Sequence, residues 1–272
     1  MFIWKNTTTL DSYDDGLIFT QSKKEAEIVL LGSKSFNINE FPNLKGIFRA
    51  GISKDNVPEK EAKDRGVIVR FPSTETIDII YQETSSFTCN LIFKMLYSYI
   101  GTLDPWIKQP RRQLSKKILL VIGTGKIGKR VAESMKKFLD VKTFDIIDNK
   151  LSELKPLMIE ADCISLHIPK NDENESFINE EKLSWMKKDA ALINTSRGAI
   201  VDENALYKEI QSGRLIAAFD VYWQEPYLGK LKEFYPDKFY MTPHVASTCD
   251  GFLKGCRNDL HQLIDILENN SN

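Results

Sequence analysis

The chain has 272 residues, of which 42% are hydrophobic and 28% are charged, and its formal net charge is −1. This length and composition predict one large or two ordinary globular domains with a substantial core. The near-zero net charge argues against nucleic acid or an anionic membrane as a partner. No apolar run approaches the roughly 20 residues that span a bilayer, and the N-terminus lacks the pattern of a signal peptide. A cytoplasmic protein is therefore expected.

The cysteines are scattered and form no CxxC pair: Cys89, Cys163, Cys249 and Cys256. Their spacing predicts neither a disulfide framework nor a structural zinc site. Adding His244 and His261 to the last two cysteines gives no usual zinc spacing either. We expect no metal.

The N-terminal part predicts alternating strands and helices. Short apolar runs at residues 16–20, 26–32, 44–50 and 66–71 predict strands, and the polar segment 58–66 predicts a helix. Strand, helix and strand at this spacing are typical of a parallel sheet. From residue 77 to 100, apolar positions recur in steps of three and four, which predicts one long helix with two apolar faces. Such a helix fits either an interdomain strut or a dimer contact.

A second series of alternating elements starts at Lys117, after a basic segment (107–117) that we interpret as a solvated connection. The pattern predicts strands at 117–123, 141–147, 161–168, 190–196, 215–222 and 239–244, and helices at 127–140, 178–187 and 203–213. The closing helix keeps five side chains in register: Leu253, Cys256, Leu260, Leu263 and Leu267. The second series therefore predicts another parallel α/β unit.

A glycine-rich motif joins the first strand and helix of this second series. It consists of Gly123, Thr124, Gly125, Lys126, Ile127 and Gly128. The first glycine allows a tight turn, the second lets a pyrophosphate approach the backbone, and the third lets the helix pack on the strand. Free amides at the helix N-terminus would face the phosphates. The motif predicts a dinucleotide site, although S-adenosylmethionine-dependent methyltransferases also use a glycine-rich turn after a strand.

The next strand ends in Asp145, which can accept hydrogen bonds from an adenosine ribose. A carboxylate there would repel a 2′-phosphate, so we predict NAD as cofactor rather than NADP. Asp148 is an alternative to Asp145 in this role, and the nearby Lys150 weakens the preference for NAD.

Polar residues mark the ends of later strands, where ligands bind in such sheets. Arg197 follows 190–196, Asp220 lies at the end of the next strand with Glu225 in the loop after it, and His244 ends the last. Arginine beside buried strands indicates an anionic partner, although Arg197 alone could also cap a helix or form a surface pair. We place Thr195 and His167 in the cofactor cleft on the same grounds.

At this point the sequence resembles the D-isomer-specific 2-hydroxyacid dehydrogenase family. The motifs VIGTGKIG, ADCISLHIP, INTSRGAIVD, FDVYWQEP and TPHVAST follow one another in the family's order within residues 115–250. A weaker match covers 49–69, where such enzymes meet the substrate carboxylate through backbone amides, here those of Ala50, Gly51 and Ile52. The resemblance implies that Arg197, Glu225 and His244 are catalytic.

The family chemistry is consistent with these residue types. Arg197 can bind a carboxylate through two hydrogen bonds and polarise the adjacent carbonyl. His244 can exchange a proton with the substrate oxygen, and Glu225 can fix its tautomer. Asp220 is expected to orient the nicotinamide carboxamide. Formate dehydrogenases normally carry glutamine at the Glu225 position, which disfavours that branch.

The resemblance also implies two α/β domains with Rossmann-like or flavodoxin-like parallel sheets flanked by helices. We expect a substrate domain at 1–86, smaller than usual and completed by 252–272, and an NAD-binding domain at 87–251. The expected activity is hydride transfer between NAD(H) and a small D-2-hydroxy or 2-oxo acid. The expected assembly is a homodimer joined along the nucleotide-domain side.

Two questions stay open at this point. Arg49, Lys54 and Arg70 could bind a phosphate, which would suit 3-phosphoglycerate, but ordinary surface charge is the preferred interpretation. The alternative function is an NADH-sensing scaffold of the corepressor type, which can retain the catalytic residues. Intact Arg197, Glu225 and His244, and the lack of an obvious interaction tail, favour the enzyme.

Overall fold

The computed structural model describes residues 1–270. The chain divides into two compact units, one made of Met1–Glu83 with the segment from Ser247 onward and the other of Thr84–Ala246. Each unit contains one parallel β-sheet. The α/β class predicted from the sequence is confirmed.

The sheet of the first unit has five strands: β1 (Phe2–Lys5), β2 (Ile18–Phe19), β3 (Ile28–Leu31), β4 (Gly46–Arg49) and β5 (Ile68–Arg70). All pair in parallel, in the order β2-β1-β3-β4-β5. This is the flavodoxin-like order. Helix α1 (Glu59–Asp64) connects β4 to β5. The predicted strands are confirmed, and β1 is an additional one that the sequence pattern did not predict.

The first unit buries the closing helix, α7 (Asp250–Asn269). Four of its five predicted apolar positions are buried and Leu253 is partly buried. They pack with Ile28, Leu30 and Phe48 on one face of the sheet. Val29 and Ile47 lie in the cluster on the other face, because successive strand residues point to opposite sides.

The long predicted helix, α2 (Thr74–Leu96), is shorter at its C-terminal end than the predicted 77–100. An antiparallel hairpin follows, made of β6 (Gly101–Thr102) and β7 (Ile107–Lys108). β7 lies inside the segment 107–117 that we interpreted as a solvated connection, and β6 precedes that segment. Gly101 has φ +138°, and a Cβ there would lie 2.2 Å from the carbonyl oxygen of Ile107. Glycine is required at this close approach, which helical periodicity does not reveal.

The sheet of the second unit has six parallel strands: β8 (Ile118–Ile122), β9 (Asp140–Phe144), β10 (Cys163–Leu166), β11 (Ala190–Asn194), β12 (Leu215–Phe219) and β13 (Phe239–Met241). The order is β13-β12-β11-β10-β8-β9. The chain adds β9 on one side of β8 and then crosses back to add β10 on the other side, so the boundary between β8 and β10 is the topological switch point. Within residues 1–270 no strand pairs with the outer edge of β9, so the third strand of the usual Rossmann order is absent.

Four helices flank this sheet: α3 (Lys126–Met135), α4 (Leu154–Glu160), α5 (Glu180–Trp185) and α6 (Glu203–Gln211). α3 ends five residues before the predicted 140, so Phe138 lies outside it, 47% exposed and edge-on to Phe93. Leu119 and Val121 pack with Leu91 of α2 on one face. The other face carries a separate apolar cluster, so both faces of the sheet are covered.

Candidate active site

The glycine-rich turn lies between β8 and α3, as the sequence predicts. Gly123 has φ +95°, which favours glycine, and a Cβ at Gly128 would lie 1.9 Å from the carbonyl oxygen of Gly123. A Cβ at Gly125 would meet nothing within 4 Å. Gly123 and Gly128 are therefore required by the fold itself, whereas Gly125 borders open space.

This open space fits a dinucleotide. α3 has no side-chain cap at its N-terminus, where Gly125 is the N-cap residue, so its first-turn amides lack the usual side-chain acceptor. Such amides, together with the positive end of the helix dipole, bind phosphate groups. The residues present at the turn therefore suit a pyrophosphate.

The glycines allow a matched pair of substitutions. Gly125→Ala is expected to fold like the wild type, because φ is −65° and the space is open, but to lose at least about tenfold in NADH affinity. Gly128→Ala is expected to lower the free energy of unfolding by about 2–3 kcal/mol through the clash with Gly123. Urea unfolding and NADH fluorescence titration measure both effects. Equal NADH affinity of the Gly125→Ala variant and the wild type would contradict a pyrophosphate at this turn.

Asp145 follows β9 and faces the glycine-rich turn. Its Oδ2 accepts hydrogen bonds from the Thr124 amide (2.7 Å) and hydroxyl (3.1 Å), and its Oδ1 accepts one from the Ile147 amide (3.1 Å). Burial acts to raise the pKa of Asp145, but these hydrogen bonds outweigh it and hold the pKa below its ordinary value. The group is therefore an ionised carboxylate beside the turn, which disfavours a 2′-phosphate.

His167 follows β10 and lies against the same turn. A Cβ at Gly123 would lie 2.5 Å from the carbonyl oxygen of His167, and one at Gly128 would lie 3.1 Å from the His167 Cβ. Burial lowers the pKa of His167 to about 4, so the ring is neutral at physiological pH. A neutral imidazole adds no charge beside a pyrophosphate.

Thr195 follows β11 and is nearly buried. Its hydroxyl lies 2.8 Å from the hydroxyl of Thr88 on α2, which donates to the carbonyl oxygen of Thr84 (2.7 Å). The sequence predicted two apolar faces for this helix. Instead, buried hydroxyls, including Ser85 with its Oγ 3.5 Å from the Ile127 carbonyl oxygen, face the turn and β11. Polar side chains at helix positions where the pattern predicts burial need hydrogen-bond partners. This is the sequence signal that could have located these hydroxyl residues.

The loop that carries Arg197 is organised by Asn194, whose side chain is fully buried. Its amide donates to the Arg197 carbonyl oxygen (2.9 Å), and its Oδ1 accepts from the Ser196 amide (3.0 Å) and hydroxyl (2.8 Å). Arg197 Nη1 donates to the Ser196 carbonyl oxygen (2.7 Å). A Cβ at Gly198 would lie 2.1 Å from the carbonyl carbon of Tyr222, so packing against this backbone explains that glycine.

His244 and Glu225 form a direct pair. Nδ1 of His244 lies 2.9 Å from both carboxylate oxygens of Glu225, and the Tyr222 amide donates to the same carboxylate (3.3 Å). His244 has φ +55°, a left-handed conformation that is uncommon for residues other than glycine. With Nδ1 engaged by the carboxylate, Nε2 is the nitrogen that can exchange a proton with a substrate.

Asp220 supports the turn at His244. Its carboxylate is fully buried and accepts hydrogen bonds from the Thr242 hydroxyl (2.6 Å) and from the amides of Val245 and Ala246 (2.9 Å each). Burial raises the pKa of Asp220, and these hydrogen bonds oppose that effect. The contacts tie the chain on both sides of His244 to the end of β12. The predicted contact with a nicotinamide carboxamide stays a prediction.

Tyr222 is a second support that the sequence did not single out. Its hydroxyl donates to the carbonyl oxygen of Phe219 (2.8 Å) or Thr242 (2.9 Å) and accepts from the Thr242 amide (3.0 Å). It therefore joins the ends of β12 and β13, which carry Glu225 and His244.

The predicted substrate segment, Ala50–Ile52, lies at the end of β4 in the first unit. The Ala50 amide donates to the Leu31 carbonyl oxygen (3.0 Å) and the Gly51 amide to that of Arg49 (2.9 Å). Two of the three proposed amides thus have backbone partners in the structure. The role of this segment in substrate binding stays a prediction.

The interpretation of Arg49 as surface charge is wrong. Its side chain is 4% exposed, and Nη1 donates to the carbonyl oxygen of Ala50 (2.6 Å), beneath Gly51. Lys54 pairs with Glu59 at 3.0 Å and is largely exposed, and Arg70 is also exposed. β4 is an interior strand, paired on both sides by β3 and β5, and all four of its residues are buried, Arg49 included.

Within residues 1–270 the structure contains neither a metal cluster nor a membrane-spanning helix. No group of three or more His, Cys, Asp or Glu side chains is placed to hold a metal ion. No helix there combines the length and apolar character that a membrane crossing requires.

Comparison with known proteins identifies the class. Residues 104–246, more than half of the chain, match the model of the D-isomer specific 2-hydroxyacid dehydrogenase NAD-binding domain. The chain belongs to this family, and NAD is the cofactor for which the domain is built. This match decides between the two uses of a glycine-rich turn: the methyltransferase alternative is wrong.

Individual relatives agree with this class. A D-3-phosphoglycerate dehydrogenase of Synechocystis sp. is 33% identical over 94% of this chain and 47% of its own length. A glyoxylate reductase of Thermofilum pendens is 33% identical over 82% of this chain and 72% of its own length. The chain thus spans about half the length of that phosphoglycerate dehydrogenase. Both relatives are named as enzymes, so the corepressor alternative gains no support from them.

Solved structures share the fold. D-lactate dehydrogenase from Aquifex aeolicus, complexed with NAD and lactic acid, has a TM-score of 0.80 and 24% identity, covering 99% of this chain and 96% of that one. At this identity the likeness shows the fold alone.

Proposed function

We propose that this protein is an NAD-dependent oxidoreductase that interconverts a small D-2-hydroxy acid and its 2-oxo acid. The observation that carries the proposal is the His244–Glu225 pair in the same unit as Arg197 and the glycine-rich turn. The three side chains follow β11, β12 and β13, at the carboxyl edge of the sheet.

Each catalytic side chain has a chemical task. NADH supplies the hydride when it is bound. Arg197 binds the substrate carboxylate and polarises the neighbouring carbonyl, because its charge is permanent and its donors are planar. Nε2 of His244 donates the proton to the carbonyl oxygen and takes it back in the reverse direction. Glu225 holds Nδ1 and stabilises the imidazolium that exists when His244 carries both protons.

The cofactor is bound by the glycine-rich turn and the strand ends around it. The proposed contacts are Gly123, Thr124, Gly125, Lys126, Ile127, Gly128, Asp145, His167, Thr195 and Asp220. The uncapped amides of α3 and the ionised Asp145 support this placement. The first unit, Met1–Glu83 with the segment from Ser247 onward, is proposed as the substrate domain, with Ala50, Gly51 and Ile52 contacting the substrate.

The substrate class includes 3-phosphoglycerate as one candidate. Relatives named D-3-phosphoglycerate dehydrogenase, glyoxylate reductase and hydroxypyruvate reductase support small 2-oxo acids in general. NADH oxidation measured against a panel of 2-oxo acids, phosphorylated and not, tests the proposal. Turnover of one acid would name the substrate. Tight NADH binding without turnover of any acid would count against the enzyme.

A homodimer is the proposed assembly. Exposed apolar side chains concentrate in the hairpin patch, residues 99–107, which includes Tyr99 (68% exposed), Leu103 (81%) and Trp106 (75%). Such a concentration marks a protein interface. Sedimentation is expected to show a dimer for the wild type and a monomer for Trp106→Glu.

Leu228→Glu is the matched control for the dimer, because Leu228 is 83% exposed outside the hairpin patch. This variant should remain dimeric. A wild type that sediments as a monomer at micromolar concentration, or a dimer that survives both substitutions, would contradict the proposal.

A further inference from the structure

The end of β10 carries two polar side chains, Ser165 and the partly buried His167, and the proposed function assigns no role to Ser165 and no donor group to His167. Ser165 and His167 are two residues apart, so they point to the same face of the strand. The Ser165 hydroxyl lies 2.8 Å from Nε2 of His167. Ser165 is fully buried.

The direction of this hydrogen bond follows from the burial of Ser165. Among residues 1–270, the His167 ring is the one hydrogen-bond partner of the Ser165 hydroxyl. A buried hydroxyl hydrogen without an acceptor is costly, so Ser165 donates to Nε2. Nε2 therefore carries no hydrogen. The low pKa of His167 keeps the ring neutral, and a neutral ring with a bare Nε2 carries its hydrogen on Nδ1.

The Nδ1–H group is accessible to solvent, on a residue whose backbone and Cβ border the glycine-rich turn. Nδ1 makes no hydrogen bond within residues 1–270. If it were buried it would therefore count among the buried polar atoms without a partner, and in that range it does not. The His167 amide donates to the Ile122 carbonyl oxygen (2.7 Å), which places the residue at the switch point between β8 and β10. Ligands of such sheets bind at this point.

We propose that Ser165 is a positioning residue that fixes His167 as the Nδ1–H tautomer, so that His167 offers a neutral donor to an oxygen of NAD. The inference deepens the proposed cofactor site and rests on it. A neutral donor suits the pyrophosphate and ribose oxygens, which are acceptors, and leaves the charge balance at the turn to the helix amides.

The tautomer can be observed directly by nitrogen-15 NMR of histidine-labelled protein. The chain has three histidines, so substitution of His244 and His261 in turn assigns the His167 ring. We expect hydrogen on Nδ1 in the wild type and in Ser165→Thr, and a mixture of tautomers in Ser165→Ala. Hydrogen on Nε2 in the wild type would overturn the inference.

The ligand contact is tested by a matched pair at His167. Asparagine places an amide donor near the position of Nδ1, and glutamine places one near the position of Nε2. NADH binding, followed by fluorescence, is expected to weaken about fivefold in His167→Gln and Ser165→Ala, and to stay within about twofold of wild type in His167→Asn. Thermal melts confirm folding. If Ser165→Ala does not fold, the His167 pair still decides.

The outcomes separate this inference from the proposed function. NADH bound with equal affinity by the wild type and by the asparagine and glutamine variants would overturn the inference and leave the oxidoreductase standing. A folded wild type that does not bind NADH would overturn both, whatever the tautomer of His167.

Discussion

His244→Gln is expected to lower kcat by about 10³-fold while NADH binding stays close to the wild-type value. The reason is that general acid–base catalysis by a positioned side chain contributes roughly 10²–10⁴-fold, and glutamine cannot exchange a proton near neutral pH. Glutamine can still donate a hydrogen bond, so the loss reports proton transfer more than packing. Steady-state turnover of the best substrate and NADH fluorescence titration measure the two quantities.

His261→Gln is the matched control for this prediction. His261 lies half-buried on α7, against Gly16, and has no proposed role in the chemistry. The control should keep wild-type kcat. Turnover by His244→Gln within a few-fold of the wild type would remove His244 from the mechanism, and the His244–Glu225 pair would then be a structural contact.

Arg197→Lys is expected to lower kcat/KM by about 10²-fold with little change in the free energy of unfolding. Lysine keeps the charge but loses the planar donors that bind a carboxylate at two points and polarise its neighbouring carbonyl. The loss should appear in KM for the 2-oxo acid and in kcat, but not in NADH affinity. Initial rates against both substrates, with urea unfolding as the stability measurement, distinguish these effects.

Arg111→Lys is the corresponding control, because Arg111 is exposed and stacks over Tyr97, outside the catalytic residues. It should leave kcat/KM unchanged. If Arg197→Lys kept wild-type kcat/KM for the same 2-oxo acid, the carboxylate would bind elsewhere.

Local sequence patterns were sufficient for the elements and for the identity of the candidate catalytic residues. The buried strand before Gly123 and the helix after it are set by apolar periodicity, which depends on neighbours a few positions away. Arg197, Glu225 and His244 could be placed near one edge because parallel strands all end on the same side of their sheet. The closing helix was predicted by its register alone, and the structure confirms four of its five core positions as buried.

Contacts between distant segments could not be predicted in this way. α2 ends at Leu96 and a hairpin follows, in which Gly101 packs against the backbone of Ile107. Within the described residues 1–270 the third strand of a Rossmann sheet is absent beyond β9, and strand count depends on which segments pair rather than on local pattern. Arg49 is buried because β4 lies inside its sheet.

The sequence by itself determined which chemical groups this protein carries and the order in which strands and helices bring them along the chain. Tertiary structure decided what each group touches. Asp220 meets the amides of Val245 and Ala246, and Ser165 meets the ring of His167, through geometry that residue identity does not specify. The physical reason is that a periodic pattern reports which face of an element is buried, whereas a hydrogen-bond partner depends on how whole elements pack.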